Sequence, residues 1–309
     1  MKNLVLFLII FPVICHPQYF SGEITYQIEI LPKSDTVDVK DIIDMKHGTQ
    51  AKYVITSKKY KSTYFKNNEY NYSYTYDDKT KRMYDDYRDK PYVTFRDSQK
   101  GNFEYFGSNV YKDSIINVLG HDCYMVVTKS EYGTSRTYYS DDIRVNYSDF
   151  EGHQAGNWYN KLKEVNGAIA LKTITEYDTY YEIQEAVKIV ERNVDDNDFE
   201  LPKKPVAAAF SALDSRAEMM QPTPEQIQCY QEKVSKVSSK DGEKYICYMS
   251  FLLLKDGTIG YIEPYEKDDS GFYLVASDII QNCGFQFQPG IINGQQVDSQ
   301  VYFPVEFIK

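Results

Sequence analysis

Reactive side chains are few, and their spacing argues against most chemistries. The four histidines, His16, His47, His121 and His153, show no His-Glu-x-x-His zinc spacing. There is neither a Gly-x-Ser-x-Gly nucleophile turn nor a Gly-x-x-x-x-Gly-Lys phosphate loop. His121-Asp122-Cys123 places a base beside a thiol, the composition of a cysteine nucleophile. On a strand, however, neighbours point to opposite faces, and the apolar surroundings give Cys123 a structural or disulfide role. Asp195-Asp196-Asn197-Asp198 concentrates carboxylates, yet it lacks the glycine and terminal glutamate of a calcium loop and reads as a solvated turn. Cys229, Cys247 and Cys283 have no Cys-x-x-Cys pattern and no nearby histidine, which argues against zinc. No catalytic residue, metal site or cofactor is assigned, and a non-enzymatic protein is expected.

Binding chemistry has a better candidate. In Tyr70-Asn71-Tyr72-Ser73-Tyr74-Thr75-Tyr76, alternation puts Tyr70, Tyr72, Tyr74 and Tyr76 on one face of a strand. Such a face is either a cross-strand aromatic layer, each pair worth about 0.2–1 kcal/mol, or a tyrosine-lined groove for a lipid or sugar. Tyrosine on the neighbouring strands favours the packing role. The chain holds 30 tyrosines against one tryptophan, Trp158, and tyrosine suits sheet surfaces that are apolar at the ring and wet at the hydroxyl.

The elements that must carry these residues are mostly strands. Phe20 to Ile30 alternates strictly, and short strands follow at Tyr53–Thr56, Ser62–Phe65, Tyr70–Tyr76, Arg82–Tyr87 and Tyr92–Phe95. A second group covers Ser114–Val118, Cys123–Thr128, Arg136–Tyr139, Ala168–Tyr177 and Tyr181–Val190, with no long helix. Residues 203–221 are alanine-rich between prolines and read as a linker with a short helix over Val206–Met220. At 309 residues and 42% hydrophobic, the chain can form two packed domains. The net charge of −10, with lysines interleaved among aspartates, argues against nucleic acid as a partner.

At the amino terminus, Met1-Lys2-Asn3 precedes an apolar run from Leu4 to Cys15. As a helix it spans about 18 Å, short of the ~30 Å bilayer core. Residues 1–19 therefore read as a secretory signal cleaved between Cys15 and Phe20. Acylation of Cys15 is the alternative, with Ile14 standing where a small residue is wanted.

In the last quarter, Tyr245 to Leu254, the Lys255-Asp256-Gly257-Thr258 turn and Ile259 to Ile262 form a hairpin pattern. A helix over Gly271–Gln281, Phe285-Gln286-Phe287-Gln288-Pro289-Gly290, Asn293-Gly294 and a strand ending at Phe307 follow. This order resembles the C-terminal domain of the TonB energy-transducer family, across residues 222–309. The resemblance implies protein recognition, with an envelope protein such as an outer-membrane receptor as partner. The strand that would add to the partner carries Gln300, Val301, Tyr302, Phe303, Val305 and Phe307. Thr223-Pro224 replaces the family's Tyr-Pro, and the segment is acidic. On this fold Cys247 faces the helix layer that carries Cys283, which favours a Cys247–Cys283 disulfide. Pairings with Cys229, or three buried thiols, are the alternatives.

Leu119-Gly120-His121-Asp122-Cys123-Tyr124, Tyr138-Tyr139-Ser140-Asp141-Asp142-Ile143 and Phe199-Glu200-Leu201-Pro202 resemble secreted GLPGLI-type proteins, relatives of the LolA-like half-barrels. The Gly-Leu-Pro-Gly segment itself is absent. The resemblance implies a lipid- or lipoprotein-holding half-barrel over residues 20–202. The expectation is thus an α+β chain: an antiparallel β half-barrel, a linker, and a small TonB-C-terminal-like domain. Its expected role is exported, periplasmic or outer-membrane-associated binding. A structural subunit of an envelope complex is the alternative, and a hydrolase stands behind both.

Overall fold

Strict alternation makes the first strand. Ile24, Tyr26, Ile28 and Ile30 are buried in β1 (Gly22–Pro32), while intervening residues are half-buried or exposed. The computed structural model describes residues 19–101, 105–131, 133–237, 242–265 and 271–308, so the signal segment and Cys15 lie outside the described residues. Phe20, at the far limit of the expected cleavage window, is buried in the core, and its N–H donates to the Arg144 carbonyl at 2.6 Å.

After β1 and a helix of about two turns, α1 (Val39–Met45), come β2 (Gln50–Thr56), β3 (Lys59–Lys66), β4 (Glu69–Asp77), β5 (Arg82–Tyr87) and β6 (Val93–Asp97). Tight turns join them; Asn67 and Asn68 both take positive φ, which asparagine tolerates, between β3 and β4. A second meander follows: β7 (Tyr105–Val118), β8 (His121–Ser130), β9 (Gly133–Arg144), β10 (Ala168–Glu176) and β11 (Tyr180–Glu191), with helix α2 (Trp158–Glu164) between β9 and β10. β1 lies between β2 and β11, and this joins the two meanders into one antiparallel sheet.

The sheet continues past Pro202. Residues Val206–Ala208, expected within a short helix, form strand β12, parallel to β6. Ala207 and Ala208 are fully buried, small enough to sit under packing from both faces, and the Pro205 carbonyl accepts from Val93 N–H at 2.9 Å. Beyond it are β13 (Glu218–Met219), helix α3 (Pro224–Ser235), the hairpin β14 (Lys244–Leu253) and β15 (Ile259–Pro264), helix α4 (Phe272–Asn282), β16 (Phe287–Gln288), β17 (Ile291–Ile292), β18 (Gln295–Gln296) and β19 (Ser299–Ile308). The turn of the hairpin holds Gly257 at φ +86°, as the Asp-Gly pattern required. The architecture is α+β, mostly strand, with one large mixed sheet running β15-β14-β19-β12-β6 and on to β7.

Both long C-terminal helices cover one face of this end. Cys247, Met249, Phe251 and Leu253 of β14 point into that layer with Val301, Val305 and Phe307 of β19, all buried. The favoured disulfide is corrected here: Cys283 bonds Cys229, not Cys247, across a Cα–Cα distance of 5.6 Å. α3, started by the Thr223–Gln226 capping box with Pro224 in its first turn, lies against α4. That brings Cys229 to the end of α4, while the Cys247 thiol is buried on the strand beneath, 3.8 Å from Met249 Sδ.

The proposed partner strand is also corrected. β19 is interior, between β14 and β12, and the sheet ends at β15. Its side away from β14 is obstructed in turn: Ala208 N–H donates to the Asp298 carbonyl at 2.8 Å. The Tyr230 hydroxyl accepts from Glu306 N–H at 3.2 Å and donates to the Glu306 carbonyl at 3.1 Å. Backbone groups alternate in direction along a strand, so Pro304 faces this side as well and brings no N–H.

The cross-link yields a stability prediction. With a sequence separation of 54, the chain-entropy relation gives about 4 kcal/mol of stabilisation. The double variant Cys229→Ser/Cys283→Ser should lose most of that in urea unfolding. Non-reducing peptide mapping should find Cys229 joined to Cys283, with Cys123 and Cys247 alkylated only after unfolding. A Cys247–Cys283 peptide would refute the assignment.

Candidate functional site

In the sheet, β4 and β8 stand seven places apart, about 34 Å if the sheet were flat at ~4.8 Å per strand. Yet Tyr74 of β4 and Thr128 of β8 line one cavity of about 280 Å³. The sheet must therefore curl. Irregular register supplies the bending, at Thr25/Tyr26 between β1 and β11 and at Ala170/Lys172 between β9 and β10.

α2 fills the mouth of the curl. Trp158 and Leu162 stand four residues apart, on one helix face, and Lys161 beside them lines the same cavity. Leu162 is buried in the core and Gly167 N–H donates to its carbonyl at 2.7 Å, which fixes the helix end. Opposite the helix stand the rings of Tyr26, Tyr53, Tyr64 and Tyr139; Ser135, Thr137 and Thr173 add hydroxyls, and Gln184 an amide.

The polar atoms are unevenly satisfied. The Tyr26 hydroxyl donates to the Ala170 carbonyl at 2.7 Å. The Tyr53 hydroxyl and the Trp158 indole N–H are buried with no hydrogen-bond partner. Burial pushes the phenols of Tyr26 and Tyr53 above the usual tyrosine range and the Lys161 ammonium below its own. The wall thus offers neutral donors, aromatic faces and one cation.

The tyrosine run divides. The ladder between β3 and β4 shifts register at Tyr64/Phe65, and this bulge sends Tyr70 to the other face, where its hydroxyl donates to Asp86. Tyr72, Tyr74 and Tyr76 keep to the concave face, so the expected four-tyrosine face is corrected to three. Tyr76 stacks on His153 at 4.0 Å, and Tyr74 reaches the cavity. Tyr72 enters a second cleft of about 430 Å³ at the junction with the C-terminal strands, shared with Arg96, Tyr87, Gln300 and Tyr302. There the buried Asp85 accepts from Tyr72 Oη at 2.5 Å and from Arg96 Nε at 2.8 Å. Burial, then the Asp85 charge, pushes the Tyr87 phenol up to about 12.

The remaining candidate groups have structural partners. Cys123 is fully buried, its thiol donates to the His121 carbonyl at 3.4 Å, and burial pushes it up to about 11. The His121 ring lies 3.4 Å from Asp142, not on the thiol. Asp195 caps the turn Asp196–Phe199, and Asp198 accepts two bonds from Arg192 at 2.9 and 2.6 Å. Sequence reasoning missed α2 and the hydroxyl wall of β8–β10. The signals were there in Trp158 with Leu162 at helical spacing, and in serine and threonine alternating along Ser135–Thr137.

His153 carries a pH prediction. Its Nε2 lies 2.7 Å from the Tyr60 hydroxyl, and burial lowers the ring to about 4. Arg96, Asp78 and Lys81 act on it more weakly. Since the folded value lies below the unfolded one of about 6.5, the unfolded chain binds the extra proton. Stability is present above pH ~6.5 and falls as pH drops towards 4. The loss reaches about 3 kcal/mol at the acid end. Urea unfolding between pH 7 and 4.5 should show this loss, and His153→Gln should flatten it; an unchanged slope in the variant would count against it.

No family model matches the chain, and no curated protein matches it. Among solved structures, PNGF-II is similar at a TM-score of 0.36 and 11% identity, covering 76% of this chain and 44% of that one. The LolA superfamily protein NE2245 from Nitrosomonas europaea is similar at a TM-score of 0.28 and 9% identity, covering 60% of this chain and 92% of that one. This chain spans less than half the length of the PNGF-II chain. At these scores neither likeness says what this chain binds.

Proposed function

We propose that the chain is an exported, non-enzymatic binding protein of the cell envelope. In this reading the curled sheet holds a small amphipathic ligand, and the C-terminal unit meets an envelope protein. The cavity under α2 is the observation that carries it: aromatic rings and hydroxyls converge on about 280 Å³. Its described lining includes no carboxylate, imidazole or thiol. General acid–base and nucleophilic work most often draws on such groups within hydrogen-bond reach of the substrate, so an envelope hydrolase is the reading with least support. No helix among the described residues is long and apolar enough to cross a membrane.

A structural-subunit role has one observation in its favour. On the face of the C-terminal strands opposite the helices, Tyr248, Tyr265 and Tyr302 are 50%, 58% and 37% exposed. Exposed tyrosine grouped in this way is common at protein interfaces.

Two measurements test the proposal. Native mass spectrometry of protein purified gently from envelope extracts should show a small-molecule adduct that unfolding releases, with a change in Trp158 emission. A stoichiometric protein partner without an adduct would favour the subunit role. Intact-mass analysis of the exported chain should place its first residue between His16 and Phe20; retention of Met1 or Lys2 would defeat the export reading.

A further inference from the structure

The wall of the cavity discriminates between ligand classes. Tyr53 is 6% exposed, its hydroxyl without a partner, and the Trp158 indole N–H beside it is likewise buried and unmet. Their rings lie 6.4 Å apart, centroid to centroid, nearly edge to face. Tyr60 stands 4.9 Å from Trp158 and 5.7 Å from Tyr53, so the two donors sit in one aromatic corner. Indole N–H can only donate. A buried donor left unmet is costly, and folded proteins leave few. Ser62 stands beside Tyr53 on the neighbouring strand, and from the other strands of the wall Thr128, Thr137 and Thr173 turn hydroxyl-bearing side chains to the same space, with Gln184 adding an amide.

The hydrocarbon of an acyl chain seated here would cover those donors and hydroxyls and offer them no oxygen, its acceptors being confined to the head group. A saccharide meets both halves of the wall. Its ring oxygens and hydroxyls accept from the indole and phenol and pair with the serine and threonine hydroxyls, and its C–H faces lie on the tyrosine rings. We infer that the cavity under α2 takes a neutral, hydroxyl-rich ring, one or two sugar units, anchored by the Tyr53 hydroxyl and the Trp158 N–H. This rests on the reading of the cavity as the binding site and adds the class of ligand.

Trp158 is the chain's one tryptophan, so its emission reports on the cavity alone. Glucose, galactose, N-acetylglucosamine and cellobiose are titrated separately into the mature protein, with laurate in parallel. At least one saccharide should shift the emission saturably in the millimolar range or below. Tyr53→Phe should weaken it about tenfold without lowering Tm, since the hydroxyl removed has no partner in the protein. Laurate binding with no saccharide response would overturn the sugar assignment and leave the binding-cavity reading standing. No response to either class would overturn both. Saccharide binding of undiminished affinity in Tyr53→Phe would overturn the donor pair as the anchor.

Discussion

A β-sheet can bring distant strands face to face only by bending, and the curl of this one is the constraint on which everything else rests. Strands pair through backbones at a fixed spacing, so the distance between β4 and β8 is set by the number of strands between them. Extra residues such as Leu171 and Val187 remove that distance by kinking the ladder where register slips. Once the sheet curls, its concave side must be filled. Tyrosine fills it from the sheet and α2 from above, and the space between them is the cavity.

The filling has a particular chemistry. An interior built from leucine and isoleucine would need no hydrogen bonds, whereas one built from phenols must place every hydroxyl. Most concave-face phenols manage it: Tyr26 reaches a backbone carbonyl, Tyr72 a carboxylate, Tyr60 the His153 ring. The same low-dielectric setting that strengthens those bonds keeps the phenols protonated and the His153 ring neutral near pH 7. Packing and polarity are thus settled by the same side chains, and two of the groups left unmet, the Tyr53 hydroxyl and the Trp158 N–H, meet at α2.

Strands were legible where one face is buried, because alternation then follows directly; Ile24 to Ile30 and Tyr72 to Tyr76 are cases. The hairpin around Asp256-Gly257 and the helix from Phe272 were legible from turn chemistry and helical spacing. Three features were not. Tyr70 changed sides because a bulge at Asn71 leaves no mark on composition. Val206–Ala208 became a strand against alanine's helical preference, since only small residues fit between β6 and β19, and tertiary fit overrides propensity. Cys283 found Cys229 because α3 docks on α4, a packing relation that no local pattern encodes. The cavity was barely visible: of its tyrosines only Tyr74 was anticipated, and its lid came from a seven-residue helix too short to stand out.

The Tyr230 hydroxyl, set against both backbone groups of Glu306, has a consequence for how such molecules could assemble. A sheet grows sideways only where a neighbour can be matched bond for bond over several residues. Along the uncovered flank of β19 that sequence is interrupted by a proline and by a phenol already engaged. Lateral growth of the large sheet is therefore confined to its two terminal strands, β15 and β7, and a polymer built by strand pairing on it would run end to end along the sheet.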